Sequence, residues 1–345
     1  MFQIAPSIFR TGIIPLVCIC FTLAPITPST IHAARNTHSE RQASSSYKVV
    51  HGWPLLPEGI ILGQVSGVGV DSHNHVFAFR RAEKSWSDNL TLETNPAATI
   101  MMFDSTPGNL VAAWGENAFV MPHGLTVDRQ NSIWLTDVGL HQVFKFDHSG
   151  KLLLSIGERG VPGSDGSHFN RPTDVAVADD GSFYVSDGYV NSRVAAFSPD
   201  GRFLFEWGVK GSGPGQFDVP HGIALDSSGM LYVADRGNAR VQVFDKQGKY
   251  IAEWKGKQLG RPWAIRAAPD GYLYVVDGGD QPSTPPDRAS VRRIEPNGRV
   301  VESFGTFGNY DGQFVWPHCI AIAKDGAIYV GDVKTGMRVQ KFMKK

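Results

Sequence analysis

One unit recurs six times along this chain, and its fixed internal spacing leaves little choice of fold. A short apolar strand is followed by a Gly or Asp turn and a second strand that ends, in five copies, on Asp. The residue opening the first strand lies 14 positions before that strand end in every copy: Ser66 with Arg80, His123 with Asp137, Thr173 with Asp187, His221 with Asp235, Trp263 with Asp277, and His318 with Asp332. Repeats of roughly 40 to 55 residues, each supplying about four short strands, mark β-propeller blades. The copy from Val219 onward displays all four, HGIALD, MLYVAD, RVQVFD and KYIAEWKG, rich in β-branched and aromatic residues and separated by turn formers. Helical periodicity is not sustained anywhere between Ser66 and Lys345. The predicted fold is therefore all-β, a six-bladed propeller.

The sixth copy stops at VQKFMKK without an outer strand, and the missing piece lies at the other end of the chain. Tyr47 to Trp53, YKVVHGW, is similar to the outer strands RFLFEWG and NLVAAWG. An N-terminal outer strand is thus expected to close the ring and hide its edges.

The first 34 residues have a different character. Arg10 precedes the apolar run Gly12 to Ile26, and small residues follow at Ala33 and Ala34. This reads as a cleavable signal peptide over 1–34, then a polar linker over 35–46 and the propeller over 47–345. The expected location is secreted or periplasmic, with an uncleaved membrane anchor as the alternative and no stable span after processing. Cys18 and Cys20 fall in the signal, which leaves Cys319 alone in the mature domain, with no internal disulfide. The 33 basic and 33 acidic side chains balance, so nucleic acid is not an expected partner.

The slot residues carry the chemistry. Inner strands of a propeller line its channel, so six equivalent positions form a ring about 60° apart, and alternate blades lie about 120° apart. His123, His221 and His318 occupy the second, fourth and sixth copies. Three imidazoles converging with that symmetry make a three-nitrogen face with an open position, the arrangement of a catalytic zinc site, although imidazole also suits iron, cobalt, nickel or copper. The bland alternative is a set of channel histidines bonded to water or backbone. Just after the second strands come Arg81, Tyr189 and Arg236, near the same mouth, and two cations beside a phenol suggest an anionic substrate. Arg80 departs from the Asp of the other copies in a way that points to function. His141 and His168 fall outside the slot and read as structural or supporting.

Several stretches together carry a specific resemblance: MPHGL with WLTDVGLHQVFKF, then GSDGSHFNRPTDVAV, SDGYVNSR, and GPGQFDVPHGIAL with VADRGNARVQ. From about Gly67 to Lys345 the chain resembles the peptidyl-α-hydroxyglycine α-amidating lyases (peptidylamidoglycolate lyases), propellers of the NHL-repeat type. The resemblance implies zinc on His123, His221 and His318, a catalytic group of Arg81, Tyr189 and Arg236, and cleavage of a peptidyl- or N-acyl-α-hydroxyglycine to an amide and glyoxylate. It also implies calcium on the carbonyls of Val68 and Leu125 and on an Asp after the third histidine. Cys319 stands where that Asp belongs, so calcium is not expected to bind. Animal members are often joined to a copper monooxygenase that makes the substrate. Two other functions fit a propeller with this slot: a noncatalytic NHL propeller that binds a protein or peptide, and a metal-dependent esterase or lactonase.

Overall fold

Burial patterns sort the strands within each blade. Leu110–Trp114 and Phe203–Trp207 alternate half-buried and exposed residues, whereas Phe183–Asp187 and Leu231–Asp235 are buried at every position. A strand with one wet face belongs at the rim, and one covered on both faces belongs inside. The structure is a computed structural model that describes residues 45–280 and 288–345. The expected signal peptide and most of the linker, residues 1–44, lie outside the described residues. Among the described residues, no helix is long and apolar enough to cross a membrane.

Six four-stranded antiparallel sheets form the ring. Blades 1 to 5 each run outward in chain order from inner strands Val65–Val70, Pro122–Val127, Asp174–Val177, Pro220–Leu225 and Pro262–Ala267. Blade 6 takes Pro317–Ile322, Ile328–Asp332 and Arg338–Lys344 from the C-terminus and its outer strand, Tyr47–Val49, from the N-terminus. Tyr47 pairs with Lys344 and Val49 with Phe342, so the ring closes as the sequence predicts. The closing strand is shorter than YKVVHGW, yet Trp53 still packs on Gly108 of the next blade, as Trp114 packs on Gly150. Buried aromatic and aliphatic side chains fill the seams between blades. Trp134 and Val143 of blade 2 meet Val175, Phe183 and Phe197 of blade 3, each such side chain contributing about 1.5–3 kcal/mol on burial.

The strand-ending Asp holds each slot in place. Asp137 accepts backbone N–H bonds from Val120 and Met121 just before His123, and Asp235 and Asp332 do the same for Asp218 and Trp316. Pairing of inner and second strands then slips between Pro220 and Gly222 and between Pro317 and Cys319. The slot residue is the extra residue of a β-bulge, which turns its side chain out of the pleat and toward the axis. Blade 1 inverts the arrangement. Arg80 is buried and donates to the carbonyls of Ile61 and Leu62, so its departure from Asp serves the local backbone; the functional reading of Arg80 is corrected.

Beneath the histidines the channel is tied by one ion pair. Arg266 of blade 5 donates to both carboxylate oxygens of Asp174 in blade 3, at 2.6 and 3.1 Å, and to the carbonyls of Leu125 in blade 2 and Ile223 in blade 4. Burial alone would lower the pKa of Arg266, and Asp174 reverses that so that it is raised. The donor set does not suit calcium. The Leu125 carbonyl accepts from the Arg266 guanidinium, whose positive charge opposes a second cation beside it, and Cys319, a buried thiol, offers no oxygen. Added calcium is therefore expected to leave Tm unchanged in thermal melts, whereas Arg266→Met, which strands Asp174 without its cation, should cost about 3 kcal/mol of stability. A large calcium-dependent rise in Tm, or an undiminished Tm in Arg266→Met, would contradict this account of the axis.

Candidate metal centre and its mouth

Each even blade contributes an imidazole to the axis, and each odd blade contributes the group that aims it. His123 Nδ1–H donates to the Thr173 carbonyl at 2.7 Å, His221 Nδ1–H to Trp263 at 2.6 Å, and His318 Nδ1–H to Ser66 at 2.8 Å. The acceptors are the slot residues of the following blades. A carbonyl can only accept, so the proton must sit on Nδ1 and the lone pair of Nε2 faces inward. The three rings form a nearly equilateral triangle, with centroids 4.7, 4.8 and 4.8 Å apart. All three are buried, and burial pushes each pKa well below the usual histidine value. The positive charge of Arg81 adds to this at His123 and that of Arg236 at His221. Neutral imidazoles with a fixed tautomer are metal-ready ligands.

Tyr189 reaches the same point from blade 3. Its hydroxyl lies 3.0 Å from His123 Nε2 and 3.1 Å from His221 Nε2. The turn that carries it depends on Gly188, where a Cβ would lie 1.8 Å from the Pro220 carbonyl oxygen, so no side chain fits. Two inward lone pairs face a hydroxyl that has one proton, and the third, on His318, adds another acceptor. The excess of acceptors is what a cation would resolve, and the three ligand atoms lie within 4.8 Å of one another. The residues therefore fit a divalent transition ion.

The mouth is cationic and aromatic. Arg81 is buried; its Nε donates to the Pro122 carbonyl at 3.0 Å, while its Nη2 is buried with no protein partner. An unpartnered guanidinium nitrogen beside three histidines is a costly feature unless a ligand meets it. Arg236 lies over the rings of Tyr189 and Trp263, at 5.2 and 4.6 Å. All six residues expected at the site, His123, His221, His318, Arg81, Tyr189 and Arg236, thus gather at one end of the channel. His141 and His168 do not: the first accepts a bond from the Arg171 backbone N–H and the second pairs with Asp165.

Two residues of the mouth escape a reading of the repeats. Trp86 packs on Tyr189 with ring centroids 4.7 Å apart and planes tilted by 36°, and it lies 5.5 Å from the Arg81 guanidinium. It arrives on the long connection from Arg81 to Thr99, held by the Asn95 side chain donating to the Arg81 carbonyl. Lys334 lies two residues after the strand-ending Asp332, as Tyr189 follows Asp187, and that offset is its signal in the sequence. Burial lowers its pKa, with the Arg236 charge acting in the same direction.

Comparison with known proteins agrees with this geometry. The NHL repeat pattern matches residues 119–146, 169–197 and 217–244. Peptidyl-glycine alpha-amidating monooxygenase B of Xenopus laevis is 39% identical over 81% of the chain, which spans 34% of that protein's length. Peptidyl-alpha-hydroxyglycine alpha-amidating lyase 2 of Drosophila melanogaster is 34% identical over 86% of the chain and 74% of its own length. A solved streptogramin B lyase superposes with a TM-score of 0.59 at 16% identity, covering 87% of this chain and 98% of that one, which speaks to the fold alone. Fold, relatives and the gathered site residues agree: the chain belongs to the peptidyl-α-hydroxyglycine α-amidating lyase family of NHL-repeat propellers.

Proposed function

We propose that this protein is a zinc-dependent lyase that cleaves peptidyl- or N-acyl-α-hydroxyglycine to the corresponding amide and glyoxylate. The observation that carries the reading is the coincidence, at one point, of three inward imidazole lone pairs, the Tyr189 hydroxyl and the unpartnered Arg81 Nη2. Zinc on the Nε2 atoms of His123, His221 and His318 would supply Lewis acidity toward the carbinol hydroxyl of the substrate.

The side chains supply the remaining functions. Tyr189 Oη, close to two ligand nitrogens, is placed to take the carbinol proton. As the carbinol oxygen becomes the aldehyde of glyoxylate, the carbon–nitrogen bond breaks and the departing amide nitrogen takes a proton back from Oη. Atoms and charge balance without an added oxidant or reductant. Arg81 Nη2 is the natural partner for the substrate carboxylate, and Arg236, held over Tyr189, offsets negative charge on the phenol. Trp86 and Trp263 flank the mouth and would exclude water from the reacting end. An exported location follows from the N-terminal apolar segment and belongs to this proposal.

His221→Ala should remain folded, lose one equivalent of zinc and lose glyoxylate release from N-benzoyl-α-hydroxyglycine. Unchanged zinc content in that variant would remove the metal from the channel. Tyr189→Phe should keep its zinc and fold while kcat falls by roughly 10²-fold or more; near-normal turnover would mean that Tyr189 is not the base. Arg81→Ala should lower kcat/KM by roughly 10- to 100-fold, with a raised KM as part of the loss. A KM unaffected by Arg81→Ala would place the carboxylate elsewhere.

A further inference from the structure

We infer that Asp71, His73, His75 and His148 form a second metal site, at the opposite end of the blades from the channel histidines, suited to zinc or a similar divalent transition ion. Asp71, His73 and His75 lie in the turn between the first two strands of blade 1, Val65–Val70 and Val76–Arg80. His148 lies in the turn between the two outer strands of blade 2, Gln142–Phe146 and Leu152–Ile156. The slot residue Ser66 sits at the far end of the same inner strand as Asp71, about 16 Å away at the rise of an extended chain. The cluster is therefore separate from the lyase site, and the inference does not rest on the proposed activity.

Four donor atoms converge there. Asp71 Oδ2 is 2.7 Å from His148 Nε2, 3.0 Å from His75 Nδ1 and 3.6 Å from His73 Nδ1, and the first two nitrogens are 3.3 Å apart. Bonds of about 2.0–2.1 Å in a tetrahedron put donors about 3.3 Å apart, a value that these separations bracket. The Asp71 side chain is fully enclosed, while His73, at 63% side-chain exposure, leaves the site reachable from solvent. Three nitrogens and one carboxylate oxygen make a closed set, the pattern of a structural ion. Such an ion would staple blade 1 to blade 2.

The other blades show what is unusual here. In blades 2 and 4 the Asp at this turn uses Oδ1 to accept backbone N–H groups and Oδ2 to accept an aromatic donor six residues on: Trp134 Nε1–H to Asp128 at 2.9 Å, and Tyr232 Oη–H to Asp226 at 2.8 Å. Asp71 keeps the first half, its Oδ1 accepting the N–H groups of His73 and His75 at 2.8 and 2.7 Å. Six residues on, however, stands Phe77, which has no donor. The oxygen that the turns of blades 2 and 4 give to a Trp or Tyr faces three imidazoles here. Phe77 packs edge-on against His148 at 5.8 Å and helps to hold that ring toward Asp71.

The test is calorimetric titration of the metal-stripped full chain with zinc alone, in the wild type and in His148→Gln and His75→Gln. Both variants are expected to bind one equivalent fewer than the wild type, to keep the wild-type rate of glyoxylate release, and to lose a zinc-induced rise in Tm of at least about 3 °C. Melting of the metal-free proteins checks that the variants fold as the wild type does. His221→Ala, measured alongside, should retain the equivalent that His148→Gln loses, so failure of the channel site leaves the comparison intact. Equal stoichiometry in the wild type and both variants would overturn the inference.

Discussion

The hydrogen bond from each channel imidazole to a backbone carbonyl of the next blade is the interaction on which the site depends. It does three things at once. It spans the seam between blades, it places the proton on Nδ1, and it leaves Nε2 as an inward lone pair. A ring with mismatched blades would lose the aim of the histidines together with its closure. The link between fold and chemistry therefore runs through the alternation of the slot: even blades use it for a side chain, and odd blades use it for a carbonyl.

The same economy recurs elsewhere in the ring. The strand-ending Asp fixes the approach to the slot in blades 2 to 6, and Arg80 serves the same segment in blade 1 with donor and acceptor exchanged. Below the histidines, the guanidinium of Arg266 reaches Leu125, Asp174 and Ile223 and so joins four blades at the axis. At the far end of the blades, one change from a hydrogen-bond donor to Phe77 frees an aspartate oxygen for imidazoles. A repeated frame lets single substitutions reassign a polar atom without disturbing the strands that carry it.

Much of this could be read from residue spacing, for a physical reason. A fixed interval of 14 positions between slot and strand end places equivalent residues at equivalent radii, so the histidine ring follows from the repeat itself. Ring closure was legible because Trp53 repeats the role of Trp114, even though the strand ends at Val49. Arg80 was misread because spacing gives a residue's position but not the direction of its side chain. Trp86 was missed because it rides on a connection outside the repeat, and Lys334 because its blade was read only for its histidine. The pairing of Asp71 with His148 crosses from one blade to the next, 77 positions along the chain, and only the packing of the blades brings the two together.

The central claim is that the three Nε2 atoms share one metal ion. Diffraction from zinc-loaded crystals at the zinc absorption edge tests it directly. The account predicts an anomalous peak on the channel axis, about 2.0–2.1 Å from Nε2 of His123, His221 and His318. Zinc-saturated crystals with no peak at that point, and with Tyr189 still hydrogen-bonded between His123 and His221, would contradict it.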